Sequence, residues 1–199
     1  MRSLMMAAAL AVAAWPAAAE KLSLAAISEY LNGFRSAQAE FTQVNDDGTI
    51  STGTLYLKRP GRLRFEYAPP DDVLVIADGT RVGVIDGKSN TGTQAYPLHR
   101  TPLKIILANT VDLTAEKMVT GHDSDGTTTT VIAQDPDNPD HGSLELVFTA
   151  DPVALRQWVV NDGAGTRTTV VLDRLRTGMT IADARFEIPG VGPVRGGDR

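Results

Sequence analysis

The sequence predicts a mainly β fold with a little helix, built as one strongly curved antiparallel sheet. Three observations predict it. Short segments alternate apolar and polar residues with a period of two, which is the mark of half-buried strands. Asp-Gly and Asp-Pro turn signals recur between those segments. Helical periodicity appears in only two places. Ten or so short strands joined by tight turns must close or cover their edges, so the sheet has to curve. Two helices are too few to make a second layer, and their apolar stripes are expected to plug the concave side.

Arg2, the apolar run Met5 to Trp15 and Ala17-Ala18-Ala19 read as a charged n-region, an h-region too short to span a bilayer, and a small-residue cleavage site. A secretory signal peptide over residues 1–19, cut before Glu20, is expected. The alternative is a membrane anchor. No lipobox cysteine and no second apolar run accompany it, so a soluble domain over residues 20–189 is expected instead.

The helix Ser23 to Arg35 carries Ile27, Tyr30, Leu31 and Phe34 on one stripe. Ala37, Ala39 and Phe41 alternate as a first strand. A meander follows in Thr49 to Lys58, Arg62 to Tyr67, Val73 to Ala77, Arg81 to Ile85 and Thr91 to Tyr96, with Asp78-Gly79 and Asp86-Gly87 as hairpin signals. Thr101-Pro102 reads as an N-cap and a first-turn proline that open a short helix, Leu103 to Ala108. Strands resume at Lys117 to Gly121, Thr127 to Ala133, Ser143 to Phe148, Leu155 to Val160 and Thr166 to Leu172. Residues 190–199, rich in glycine and charge, read as a loose tail.

A net charge of −5 without basic runs argues against nucleic acid as a partner. The chain has no cysteine, so no disulfide can staple an exported domain and burial must supply its stability.

Enzymatic readings are weak. Gly83, Gly87, Lys88 and Ser89 fall one residue short of the phosphate-loop spacing and lie in a hairpin region. His99, His122 and His141 are far apart beside turn residues and read as solvated. The loop Asp135, Asp137, Asn138 and Asp140 lacks the glycine and distal glutamate of a calcium loop and reads as a surface turn. No Gly-x-Ser-x-Gly elbow is present. Neither catalysis, a metal nor a cofactor is expected.

Binding is better supported. Phe41, Leu55, Leu57, Leu63, Phe65, Tyr67, Phe148 and Trp158 give the strands bulky apolar faces. For each alone, an ordinary barrel core is the simpler reading. Arg59 tips the balance, because the period of two puts it on the face of Leu55 and Leu57. A core rarely keeps an ionised guanidinium there, whereas the rim of a lidded cavity can use its planar donors on the free carbonyls of a helix end.

The stretch GTLYLKRPGRLRFEYAPP, residues 53–70, closely resembles the LolA family of periplasmic lipoprotein carriers. Ala39-Glu40-Phe41-Thr42-Gln43, Ala77-Asp78-Gly79, Thr101-Pro102-Leu103 and Ala184-Arg185-Phe186-Glu187-Ile188-Pro189 extend the resemblance over nearly the whole exported part. It implies an incomplete β-barrel with helices as a lid over a hydrophobic cavity. It also implies that Arg59 bonds to lid backbone, and that Leu31 and Ile106 lie on the lid helices it tethers. Ile105 and Leu107, with Ile106, are expected to pack reversibly into the sheet. Phe65 stands where the family usually has tryptophan, and Leu63 replaces a family phenylalanine.

The function so implied is a periplasmic chaperone that carries acylated lipoproteins from the inner membrane to an outer-membrane acceptor. An acyl chain of roughly 14 methylenes gains about 11 kcal/mol on leaving water, so it does not diffuse freely. No nucleotide site exists here to drive extraction, so an inner-membrane ABC-type lipoprotein-releasing transporter must load the carrier. The family's receptor of similar fold is itself a lipoprotein with an N-terminal cysteine, which this chain lacks. A monomeric soluble carrier is expected. The alternative is a periplasmic regulator or scaffold that binds a protein partner on the same curved sheet.

Overall fold

A computed structural model describes residues 20–115 and 117–191. The chain opens with α1 (Leu24–Asn32), then β1 (Ser36–Val44), β2 (Ile50–Lys58), β3 (Arg62–Tyr67), β4 (Val73–Asp78), β5 (Arg81–Asp86) and β6 (Gln94–Pro97). The short helix α2 (Leu103–Ile106) leads to β7 (Val119–Ser124), β8 (Thr128–Gln134), β9 (Ser143–Ala150), β10 (Val153–Asn161), β11 (Arg167–Leu172) and β12 (Arg176–Thr177). All pairings are antiparallel and build one 12-stranded sheet in the order β6-β5-β4-β3-β2-β1-β11-β10-β9-β8-β7, with β12 on β1 beside β11. The two ends of that path, β6 and β7, are not paired to each other, so the barrel stays open.

Two consecutive meanders therefore meet at β1, which pairs with β2 from Ser36–Lys58 to Val44–Ile50 and with β11 from Phe41–Leu172 to Val44–Thr169. Strict alternation buries Gly53, Leu55 and Leu57 of β2, Leu63 and Phe65 of β3, and Leu144, Leu146 and Phe148 of β9. The leucine and phenylalanine side chains among them form one cluster with Ile27, Leu31 and Phe34 from α1 and its exit and with Ile105, Ile106 and Leu107 from α2 and its exit. The helices thus fill the concave side of the sheet.

The convex side carries a second, smaller cluster that sequence patterning did not reveal. Ile181, Phe186 and Ile188 pack against Ile76, Tyr56, Leu74 and Ile85. The segment after β12 is strapped there by polar contacts. Lys58 Nζ donates to Ile181 O and pairs with Asp183 at 2.6 Å, and the Arg185 guanidinium lies 4.2 Å from the Tyr56 ring. Gly83 makes room for the strap, since a Cβ there would lie 2.6 Å from Ile188 Cγ2.

Some sequence expectations shift. Ser23 caps α1 by accepting from Ala26 N, and the helix stops at Asn32, before Phe34 and Arg35. Thr101 does not cap α2; its hydroxyl donates back to Leu98 O, and Pro102 occupies the cap position without a side-chain bond. Leu107 and Ala108 lie beyond the helix. Of the expected tail, Val191 packs against the convex cluster. Residues 192–199 and the expected signal peptide, residues 1–19, lie outside the described residues.

Candidate functional site

The concave wall is a set of interlocked aromatic rings on neighbouring strands. Phe41 of β1 meets Phe65 of β3 edge to face at 4.9 Å and Tyr67 at 5.2 Å, and Phe65 meets Trp158 of β10 at 6.1 Å. Phe41 and Tyr67 touch across β2 because Gly53 lies between them in register. A Cβ on Gly53 would fall 2.8 Å from the Phe41 ring and 2.1 Å from Glu66 O. Trp158 points inward through an irregularity in β10. The register slips between Leu155 and Gln157, so Leu155 and Trp158 are both buried although three positions apart. Tyr67 donates its hydroxyl to Gln43 Oε1 at 2.7 Å, and burial pushes its phenol up to about 12.

The lid closes this wall. Tyr30 of α1 meets Phe148 edge on at 5.9 Å, while Ile27 and Leu31 are fully buried and Ile106 is 1% exposed. Seven of the eight wall residues expected from the sequence, Phe41, Leu55, Leu57, Leu63, Phe65, Phe148 and Trp158, are 0–5% exposed, and Tyr67 is half-buried.

Arg59, just past β2, holds the ends of both helices. Its Nε donates to Ile106 O at 2.8 Å, and its Nη1 donates to Leu31 O and, at 3.4 Å, to Phe34 O. The guanidinium stacks 4.9 Å from the Phe34 ring. These carbonyls lie at helix exits, where main-chain acceptors lack partners within the helix and the local field is negative. Burial, with a smaller contribution from the charge of Arg35, lowers the Arg59 pKa to about 10, so it remains a cation at neutral pH. Its Nη2 is buried without a partner among the described residues. The following turn adds two backbone ties, Arg59 N to Arg35 O at 2.7 Å and Gly61 N to Leu107 O at 2.8 Å.

The other edge of the lid has fasteners that the sequence reading missed. Leu22 N donates to Thr129 Oγ1 at 3.0 Å and Lys21 Nζ to His122 O at 2.7 Å, which pins the start of α1 to β7 and β8. His122 is thus a half-buried strand residue, with Nε2 2.8 Å from Leu22 O, and not a solvated loop histidine. Lys104 of α2 pairs with Asp135 after β8. Asp135 also accepts from Asn138 Nδ2 at 2.8 Å and Asp137 N at 3.1 Å. Lys104 above all lowers its pKa to about 2. The acidic loop is on the surface, as expected, but Asp135 itself is buried. Beside this pair a cleft of about 260 Å³ is lined by Ile105, Ala108, Val111, Leu113 and Met118. Among the described residues no group of three or more His, Asp or Glu is placed to hold a metal ion.

An open antiparallel sheet, apolar within and covered by helices held at one arginine, defines a lidded half-barrel. Comparison with known sequences and structures then gives the family. The family described as "Outer membrane lipoprotein carrier protein LolA" matches residues 32–189, and the chain belongs to it. The outer-membrane lipoprotein carrier protein of Azotobacter vinelandii is 23% identical over 90% of this chain and 89% of its own. That of Leptothrix cholodnii is 33% identical over a shorter match covering 42% of each chain. Among solved structures, a LolA superfamily protein from Nitrosomonas europaea aligns over 85% of this chain and 100% of its own, at 8% identity and a TM-score of 0.44.

Proposed function

We propose that this chain is a non-enzymatic periplasmic carrier that holds the acyl chains of lipoproteins against the concave wall. One observation carries the reading: an aromatic and aliphatic wall, including Phe41, Phe65, Phe148 and Trp158, is covered by helices whose ends rest on the buried cation Arg59. Family membership supports it, as do the names of the Azotobacter and Leptothrix relatives. A permanent core has no use for a buried guanidinium with an unpaired nitrogen, whereas a lid that must lift can exchange those bonds for water.

In the closed form Arg59 gains bonds to carbonyls at both helix ends, and a ligand must displace the lid against them. That opposition keeps affinity low enough for release. Loading would come from an inner-membrane ABC-type transporter, and release would go to an outer-membrane acceptor that binds acyl chains better. The carrier works as a monomer in the periplasm.

The test is competition. The protein from Glu20 onward is mixed with an environment-sensitive hydrophobic dye and titrated with triacylated lipoprotein or with the same polypeptide without acyl groups. The acylated form should displace the dye and the other should not. Equal binding of both forms would replace the carrier by a protein-binding regulator.

A further inference from the structure

We infer that α1 and α2 lift as one body, and that Asn32 is the positioning residue that joins them. The inference rests on the reading of these helices as a ligand-admitting lid. Asn32 is the last residue of α1. Its Nδ2 donates to Val111 O at 2.8 Å and its Oδ1 accepts from Val111 N at 2.9 Å, so one side chain pairs with both backbone groups of Val111 as a neighbouring strand would. One turn earlier, Ser28 Oγ accepts from Leu113 N at 3.0 Å while donating to Leu24 O at 2.8 Å. Beyond the helix, Arg35 Nη1 donates to Asn109 O and, at 3.0 Å, to Asn109 Oδ1.

Ser28 and Asn32 lie one turn apart on α1, so the helix carries a polar stripe beside its apolar one, and Arg35 extends that grip past the helix end. The apolar stripe of Ile27, Leu31 and Phe34 joins the sheet cluster, and the polar stripe grips the segment 109–113 that follows α2. Val111 is 3% exposed and Leu113 1% exposed, so parting α1 from this segment would strand buried main-chain groups. With only four residues, α2 has no helical stability of its own and moves with what holds it. Lifting both helices together keeps every bond of the polar stripe; it breaks those to the β2–β3 turn, to Asp135 and from Leu155 N to Tyr30 Oη, and strains the ties of Lys21 and Leu22 to β7 and β8, all of which separating the helices would also break or strain. That route costs less than separating the helices, and Arg59, which touches both, releases them together.

Backbone hydrogen exchange on the ligand-free protein tests this. In Arg59→Leu, the amides of Ile27 to Leu31 and of Ile105 to Leu107 should lose protection by the same factor, about tenfold or more. In Arg59→Leu with Asn32→Ala, Ile105 to Leu107 should lose more while Ile27 to Leu31 do not. Asn32→Asp keeps the shape and the acceptor but removes the donor to Val111 O, so it should split the two factors less. It reads the same ratio if the alanine variant does not fold. A merely structural role for Asn32 would lower protection throughout, β8 and β9 included, and leave the ratio unchanged. Unequal loss in Arg59→Leu alone, or an unchanged ratio when Asn32 is replaced, overturns the inference. Coupled helices in a chain that ignores acylated polypeptide would overturn the carrier reading alone. Independent helices in a chain that binds it would overturn this inference alone.

Discussion

Leu31 and Ile106 offer their carbonyl oxygens to a single guanidinium, so the exits of the two lid helices are held by one side chain. The two backbone ties of the same turn do not depend on that side chain. Removing it weakens the latch without abolishing it.

Arg59→Leu should therefore open the lid more often, hold lipoprotein longer and slow its hand-over to an outer-membrane acceptor, while loading continues. Each charge-assisted bond lost is worth about 1.5–3 kcal/mol. Arg59→Lys should be a partial substitute, since an ammonium offers a point charge in place of a planar fork. The measurement is the transfer rate from preloaded protein, with retention in parallel. Unchanged rates and retention would reduce Arg59 to a structural residue.

Asp135 makes the acid limb of stability predictable. Its pKa in the folded protein, about 2, lies below the ordinary 3.8, so its pairing with Lys104 stabilises the fold above about pH 4 and that contribution fades as pH falls toward 2. Asp135→Asn should lower the unfolding midpoint at neutral pH and show a shallower decline over that acid window. Parallel pH curves for the two proteins would show that the pair contributes nothing.

Trp158 is a built-in reporter. The chain has two tryptophans, Trp15 and Trp158, so a protein beginning at Glu20 carries Trp158 as its one tryptophan, buried on the concave wall. Its emission should start blue-shifted and change when acylated ligand enters beside Phe65. Constant emission at saturating ligand would place the ligand elsewhere.

Two glycines should tolerate a methyl group differently. In Gly53→Ala the new atom meets a backbone carbonyl of β3, whereas in Gly83→Ala it meets the Cγ2 methyl of the Ile188 side chain, which can shift where a backbone carbonyl cannot. Overpacking of this kind costs about 1–3 kcal/mol, and Gly53→Ala should stand at or above the upper end. Thermal unfolding of both variants checks the order, and a larger loss in Gly83→Ala would contradict it.

Much of the concave side was legible because local alternation reports which face a residue occupies. The Arg59 position followed from counting by two from Leu55 and Leu57. The strap on the convex side was not legible. Ile181, Phe186 and Ile188 lie in a stretch without a regular period; their partner Tyr56 lies on the face that alternation marks as outward, and Ile76 sits in an unbroken apolar run, Val73 to Ala77, where alternation marks no face. The fasteners Lys104–Asp135 and Asn32–Val111 were hidden for another reason. Each joins a polar residue of a helix to a distant loop through tertiary contact, and isolated polar residues look alike in sequence whether they face solvent or a neighbour.

The junction at β1 has a consequence for how the chain acquires its shape. Local hairpins can form each meander early, but β1 stays unpaired on one side until β11, more than a hundred residues later, reaches it. Closing so long a loop pays its entropy before any contact repays it, which makes this step slow. While the chain folds, the first meander waits with a free edge and the apolar faces of Phe41 and Phe65 uncovered. Arrival of Thr169 to Leu172 ends that vulnerable interval, so substitutions in β11 should lower the yield of folded protein more sharply than they lower the stability of what does fold.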